Sequence, residues 1–280
     1  MASGSGDLSD LQTSALKRQI HAVWEQSGTR STVDELADAL LGSSDPRVRD
    51  LGDQLYPFTE KGEYGRYFSG PSGALEDAAL TVLELEELKG RKHLQQVVLL
   101  ELVFRIQKRM YLGDRSRPKL VIIDEAWDLL TSGEVGKFIE TGYRRFRKYG
   151  GAAVTVTQSV NDLYSSPAGR AIAENSANMF LFGQKAETIE ELRRSSRLPL
   201  SDAACELLRT VRTEPGRFSE IYFITDRGQG VGRLEVNDFQ KILYSTKAEE
   251  VSAVNALVTS GMSLEEAIRT VAESLGKRRA

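Results

Sequence analysis

The stretch that most restricts what this chain can fold into is Lys119–Leu130, which reads KLVIIDEAWDLL. Its apolar residues Leu120, Val121, Ile122 and Ile123 run without a polar interruption into two adjacent carboxylates, Asp124 and Glu125. An unbroken run rich in β-branched side chains fits a short strand buried on both faces, the environment of parallel α/β sheets. Open α/β sheets bind ligands beyond the carboxyl ends of their strands, where the two acids are expected to lie. Of two neighbouring acids, one can hold Mg²⁺ while the other orients or deprotonates a water. That is the Walker B arrangement of nucleotide hydrolases. A buried strand followed by a helix whose first turn accepts acids for dipole reasons gives the same letters.

Composition removes several other classes. The chain has 280 residues, enough for one large domain or two. Its net charge of −3 gives no overall attraction to nucleic acid or anionic membrane, although local basic patches remain open. A single cysteine, Cys205, excludes an internal disulfide and a cysteine zinc cluster, and fits a reducing compartment. The two histidines, His21 and His93, lie far apart in helix-like stretches, which argues against a histidine metal centre. No run of about 18 apolar residues occurs, so no transmembrane helix is expected. The opening MASGSG lacks the apolar core of a signal peptide and reads as a leader or tag over 1–6.

Periodicity then divides the chain. Leu8, Leu11, Ala15, Leu16, Ile20, Val23 and Trp24 recur three and four apart, which predicts an amphipathic helix ended by Gly28. Thr32 with Glu35 predicts a capping box, and Asp45-Pro46 a third helix start. These make an all-helical subdomain over 7–57. The stretch 56–73 combines four glycines, five aromatics and two prolines, and is expected to be an ordered connection pinned by its rings. Thr81–Leu85 is expected as a strand and His93–Tyr111 as an apolar helix, so that with Leu120–Ile123 they form a right-handed βαβ unit. Further expectations are a helix over 134–149, strands at Ala152–Thr157 and Met179–Phe182, and helices over 169–178 and 186–195. Phe218–Thr225 and Val231–Val236 should form a hairpin with a five-residue loop, Asp226 to Gly230. Residues 58–245 are thus assigned to an α/β core and 246–280 to a C-terminal helical pair, the second helix capped by Ser263 with Glu266. Its last residues, Lys277, Arg278 and Arg279, are expected to fray.

Three strands are thereby expected to end in polar residues along one sheet edge: Asp124 and Glu125, then Gln158, then Gln184. A glutamine beside a Walker B pair can bond both a γ-phosphate oxygen and an attacking water. For Gln158 the competing role is satisfying loop backbone. The arginines downstream, Arg144, Arg145 and Arg147, fit either a finger reaching a neighbouring subunit's phosphates or a basic helix end favoured by the dipole.

The strings GRYFSGPSG, VLELEEL, MYLGDRSRPKLVIIDEAWDLL, YRRFRKYGG, VTQSVNDLY and IAENSANMFLFGQ, in this order, resemble the TraC-type conjugative-transfer ATPases of type IV secretion systems. The resemblance runs roughly from Asp45 to Val236. It implies an α/β, RecA-like P-loop NTPase core with an incomplete, mostly parallel sheet, beside an N-terminal all-helical subdomain and C-terminal helices. It also implies ATP and Mg²⁺ as cofactors, with Asp124 serving Mg²⁺, Glu125 activating water and Gln158 sensing the γ-phosphate. Gln184 would add to the nucleotide site, and Arg147 or Arg144 would reach the neighbour's nucleotide. The same resemblance implies a homo-hexamer on the cytoplasmic face of the bacterial inner membrane, working with other secretion components in pilus assembly and substrate transfer.

One departure matters. The family carries a P-loop, yet the only Gly-Lys pairs here are Gly136-Lys137 and Gly276-Lys277, and neither is followed by Ser or Thr. The chain therefore reads as a C-terminal portion that lacks the phosphate cradle and is expected to be inactive alone. Two other readings stand beside it. One is a DNA-translocating ATPase of the HerA/FtsK or coupling-protein kind, for which the arginine clusters at 144–148 and 193–197 would contact DNA. The other is a non-catalytic oligomer or docking module.

Overall fold

The computed structural model describes residues 8–69, 78–88, 90–125, 133–195, 198 and 200–279. Ala126–Leu130 of the acid-bearing stretch, Gly70–Gly73 of the aromatic stretch, Arg197, and the side chains of Lys277, Arg278 and Arg279 lie outside what is described. The chain divides into two compact units, 1–114 and 115–280.

The first unit opens with three helices: α1 (Asp10–Ser27), α2 (Val33–Leu41) and α3 (Pro46–Leu55). Their starts follow the expected chemistry. Thr32 Oγ1 accepts the Glu35 amide while Glu35 returns to the Thr32 amide, and Asp45 caps a helix that begins on Pro46. Their inward faces close over Ala15, Ala37, Leu40, Val48, Leu51 and Leu55. A short helix α4 (Gly65–Phe68) and the long α5 (Lys92–Leu112) follow. The aromatic stretch is tied down as expected over its described part. Phe58 is fully buried and touches Tyr64, Phe68 and His93 with ring centroids 5.1–5.4 Å apart, over Leu94 and Val97 of α5. Glycine is required within it, because a Cβ on Gly62 would stand 2.1 Å from the Tyr56 carbonyl oxygen.

Thr81–Leu85 corrects the expected βαβ unit. The segment carries no strand pairing, and Val82 and Leu83 are exposed. β-Propensity measures fit to a half-buried pleated surface, and within the described structure this segment has no strand to lie against.

In the second unit β1 (Lys119–Ile123) and β2 (Gly151–Thr155) form a parallel pair, with Lys119 opposite Gly151 and Ile123 opposite Thr155. Between them in sequence runs α6 (Gly133–Arg145), continued by a 3₁₀ turn, Phe146–Tyr149. Gly142 lets the Phe146 ring fold back onto α6, because a Cβ there would meet the ring at 2.6 Å. α6 packs on α7 (Pro167–Asn175), burying Val135, Phe138 and Ile139. β1 is covered on one face only. Leu120 and Ile122 are 58% and 63% exposed, so the expected two-sided burial does not hold among the described residues.

A second sheet is antiparallel and centred on β5 (Phe218–Thr225). β6 (Gly228–Leu234) runs along one of its edges, and β3 (Met179–Leu181) and β4 (Thr213–Glu214) share the other. The β5–β6 turn is tighter than expected. Thr225 pairs with Gly228, leaving Asp226 and Arg227 as a two-residue turn, and Gly228 at φ 140° supplies a backbone that a side chain rarely adopts. The inner face of this sheet meets α8 (Ala186–Ser195) and α9 (Asp202–Arg209) over Leu181, Ile189, Leu192, Cys205, Leu208 and Tyr222. The chain ends in α10 (Asp238–Leu243), α11 (Ala248–Thr259) and α12 (Leu264–Arg279), joined over Ile242, Val254, Ala267 and Ile268. The Ser263–Glu266 capping box forms as expected.

Leu51 has no exposed surface in the three-helix core. Leu51→Ala is expected to cost about 2–5 kcal/mol of unfolding free energy, measured by urea titration of residues 1–114 and of the whole chain. A cost below about 1 kcal/mol would show that this core is not closed as described.

Candidate active site

Parallel pairing in register sets the site. β1 and β2 start together and end together, and the Val156 amide donates to the Ile123 carbonyl oxygen at 2.9 Å, one step past the last ladder pair. The residues that follow each strand, Asp124-Glu125 and Thr157-Gln158, therefore leave from the same carboxyl edge. Asp124, Glu125 and Gln158 are all exposed there.

The backbone turns sharply at the acids. The Glu125 amide donates to Asp124 Oδ1 at 2.9 Å, and Glu125 has φ 48°, the one non-glycine residue with positive φ among the described residues. A β-carbon in the left-handed region costs on the order of 1 kcal/mol, and such strain persists only where something else holds it. The turn leaves Asp124 Oδ2 outside that hydrogen bond. No cluster of three or more His, Cys, Asp or Glu suited to a metal occurs among the described residues. This donor set fits Mg²⁺, which takes one or two carboxylates and fills its octahedron with waters and substrate phosphates.

Gln158 sits on a loop fastened at both ends. Thr157 Oγ1 donates to the Ser159 carbonyl oxygen at 3.1 Å. Ser159 caps the turn Val160–Tyr164, with Asp162 returning to the Ser159 amide at 3.1 Å. Asn161 Nδ2 then reaches Glu191 of α8 at 2.7 Å, and Val160 is buried in the core of the second sheet. Satisfying the loop backbone thus falls to Thr157, Ser159 and Asp162.

Gln184 is a correction. Its strand, β3, belongs to the antiparallel sheet and pairs with β5, not with β2. Its side-chain amide donates locally, to the Phe182 carbonyl oxygen at 3.2 Å. The MFLF run fits a parallel or an antiparallel strand equally well, because a short apolar segment carries no sign of its partner.

Of the arginines, Arg144 is exposed and paired with Glu140 at 3.1 Å. Arg147 lies in the 3₁₀ turn directly before β2, hence at the amino edge of the pair. Five strand residues at about 3.3 Å each separate that edge from the acids by roughly 16 Å. One further residue pair was not visible in the sequence. The Tyr143 hydroxyl meets Thr155 Oγ1 at 2.6 Å, tying α6 to the end of β2 just ahead of the Gln158 loop. Burial raises the Tyr143 phenol above its ordinary pKa, and the bond to Thr155 pulls weakly the other way.

The profile of the TraG P-loop domain family matches residues 31–275. The chain belongs to that family. Protein TraC of Escherichia coli (strain K12) is 31% identical over 288 residues, covering 96% of this chain and 33% of that protein. Conjugal transfer protein TrbE of Rhizobium radiobacter is 29% identical over 149 residues, covering 53% of this chain and 17% of TrbE. The chain therefore spans a third or less of the curated relatives it matches. The solved structure of VirB4 of Thermoanaerobacter pseudethanolicus superposes with a TM-score of 0.62 at 22% identity, over 82% of this chain and 65% of VirB4. The resemblance to TraC and the α/β fold class are thus borne out. Gly136-Lys137 lies inside α6 and Gly276-Lys277 inside α12.

Two substitutions test this description. Glu125→Gly relieves the left-handed backbone and is expected to raise unfolding free energy by several tenths to about 1 kcal/mol. Tyr143→Phe removes one part-buried hydrogen bond and is expected to lower it by about 1 kcal/mol. Chemical denaturation checks both, and a Glu125→Gly variant less stable than the parent would contradict the assigned backbone.

Proposed function

We propose that this chain supplies the metal-binding, water-activating and phosphate-sensing part of an ATPase that powers conjugative or type IV secretion transfer. The observation that carries the reading is the shared carboxyl edge, where register pairing brings Asp124 and Glu125 beside the fastened Gln158 loop. ATP bound there would bring the phosphoryl group to be transferred. Asp124 would hold Mg²⁺, which would supply positive charge against the phosphate oxygens. Glu125 takes the proton of the attacking water, and the Gln158 amide bonds the γ-phosphate and that water together. Arg147, or Arg144, stabilises charge on a neighbouring subunit's phosphates in a ring, for which six copies are the reading favoured by the family. The phosphate cradle comes from outside these 280 residues, since the sequence holds no G-x-x-x-x-G-K-[ST]. No described helix is long and apolar enough to cross a membrane, which fits peripheral association with the inner membrane through other secretion components.

The test is direct. The chain alone should show no turnover of Mg·ATP. Joined to a P-loop segment from a relative such as TraC, it should hydrolyse ATP, and Glu125→Gln should reduce the rate at least 100-fold, within the usual range for a general base. Activity that survives Glu125→Gln would remove that residue from the mechanism.

A non-catalytic docking role has an observation of its own. Leu120, Ile122, Val154 and Val156 leave one face of the parallel pair apolar and exposed, and Phe180 and Phe182 of the β3 region do likewise. Light scattering on size-exclusion chromatography, with and without the P-loop segment, separates the readings. Tight association without hydrolysis in the joined protein would favour docking.

A further inference from the structure

The amino edge of the parallel pair collects positive charge from two distant stretches of sequence. Arg115 and Arg117 precede β1, while Arg147 and Lys148 precede β2. Their approach is built in. Gly150 takes φ 70°, and a Cβ on it would stand 2.8 Å from the Arg115 carbonyl oxygen, so only glycine lets the two turns meet. The Arg115 guanidinium lies 4.9 Å from the Tyr149 ring centroid, and Lys119 Nζ donates to the Tyr149 carbonyl oxygen at 3.3 Å. Arg115, Arg117, Arg147 and Lys148 are exposed, and none is paired with a carboxylate among the described residues. Like charges gathered without acidic partners repel one another, in a chain whose net charge is −3. An arrangement that holds them together is suited to an anion with several charges.

We propose that Arg115 and Arg117 form one anion-binding surface with Arg147, and that it closes on the nucleotide phosphates held by a second copy of this chain. The inference rests on the ATPase reading above and extends it to residues outside the finger. The surface cannot serve its own site, because the acids stand at the opposite edge of the strands, about 16 Å away. Charge complementarity selects the occupant. One edge of the pair carries Asp124 and Glu125, the other carries the arginines, and copies packed head to tail bring unlike edges together. Arg115 and Arg117 act as positioning cations: they hold the phosphate chain while Arg147 meets the transferring group. A membrane fits less well, because the aromatic ring of the surface, Tyr149, is half-buried and stacked beneath Arg115 instead of free to insert.

Inorganic tripolyphosphate is the probe, titrated calorimetrically into the intact chain, where no hydrolysis is needed. Binding is expected to weaken with salt, to fall about tenfold or more in the Arg115→Gln/Arg117→Gln double variant, and to be unchanged in Arg227→Gln on the exposed β5–β6 turn. Tripolyphosphate should raise the Tm of the parent chain but not of the double variant. The double variant itself should melt no lower than the parent, which separates a binding role from a structural one. Unaltered binding in the double variant overturns the site. A single-stranded oligonucleotide that binds these arginines far more tightly than tripolyphosphate overturns the assigned ligand in favour of nucleic acid. The second copy is tested in the joined, P-loop-bearing protein by mixing Glu125→Gln subunits with double-variant subunits. Activity recovered above either alone supports action across the interface, and no recovery overturns it. If the unmutated joined protein fails to hydrolyse ATP, the ATPase reading fails, while the tripolyphosphate result still decides whether the surface binds anions.

Discussion

Pairing of β1 with β2 in parallel, residue for residue, is the constraint from which the rest of the site follows. A parallel pair cannot be closed by a tight turn, so the chain must travel from one end of β1 to the start of β2 through a long connection. Here α6 and its 3₁₀ extension make that return. The connection fixes what stands at each end: acids and the Gln158 loop where the strands finish, arginines where they begin. Shifting the register by one residue would exchange the inward and outward faces of either strand and part Asp124 from Gln158.

The second sheet acts on the site through the loop it anchors. Val160 enters the core formed by Leu181, Ile189 and Tyr222, and Asn161 holds Glu191, so the segment after β2 belongs to both sheets at once. Gln158 is thereby held by an element whose own stability comes from a different core. Tyr143 does similar work from the other side, linking α6 to Thr155. The proposed role of Gln158 would profit from such holding, because small errors of placement are costly in positioning catalysis.

Much of this was legible in the residues. The capping boxes at Thr32 and Ser263, the helix start at Pro46 and the strand ending in Asp124 follow from local chemistry that tertiary context seldom overrides. What failed depended on partners. Thr81–Leu85 has strand composition without a described strand beside it, and Met179–Leu181 is a strand whose neighbour lies about 40 residues later in β5. The glycines after Asp226 looked like a loop because glycine weakens strands. In the fold, Gly228 and Gly230 instead belong to β6, paired with Thr225 and Phe223 of β5. The Tyr143–Thr155 bond could not be read at all, since nothing local to either residue names the other.

The buried thiol of Cys205 gives the molecule a natural clock. It is the only sulfhydryl in the sequence and is 1% exposed, packed between α8, α9 and the inner face of the second sheet. An alkylating reagent can reach it only when that core opens, so its labelling rate under native conditions reports one local opening equilibrium with no engineered probe. Because Val160 of the Gln158 loop is rooted in the same core, the clock also times how often that loop loses its footing.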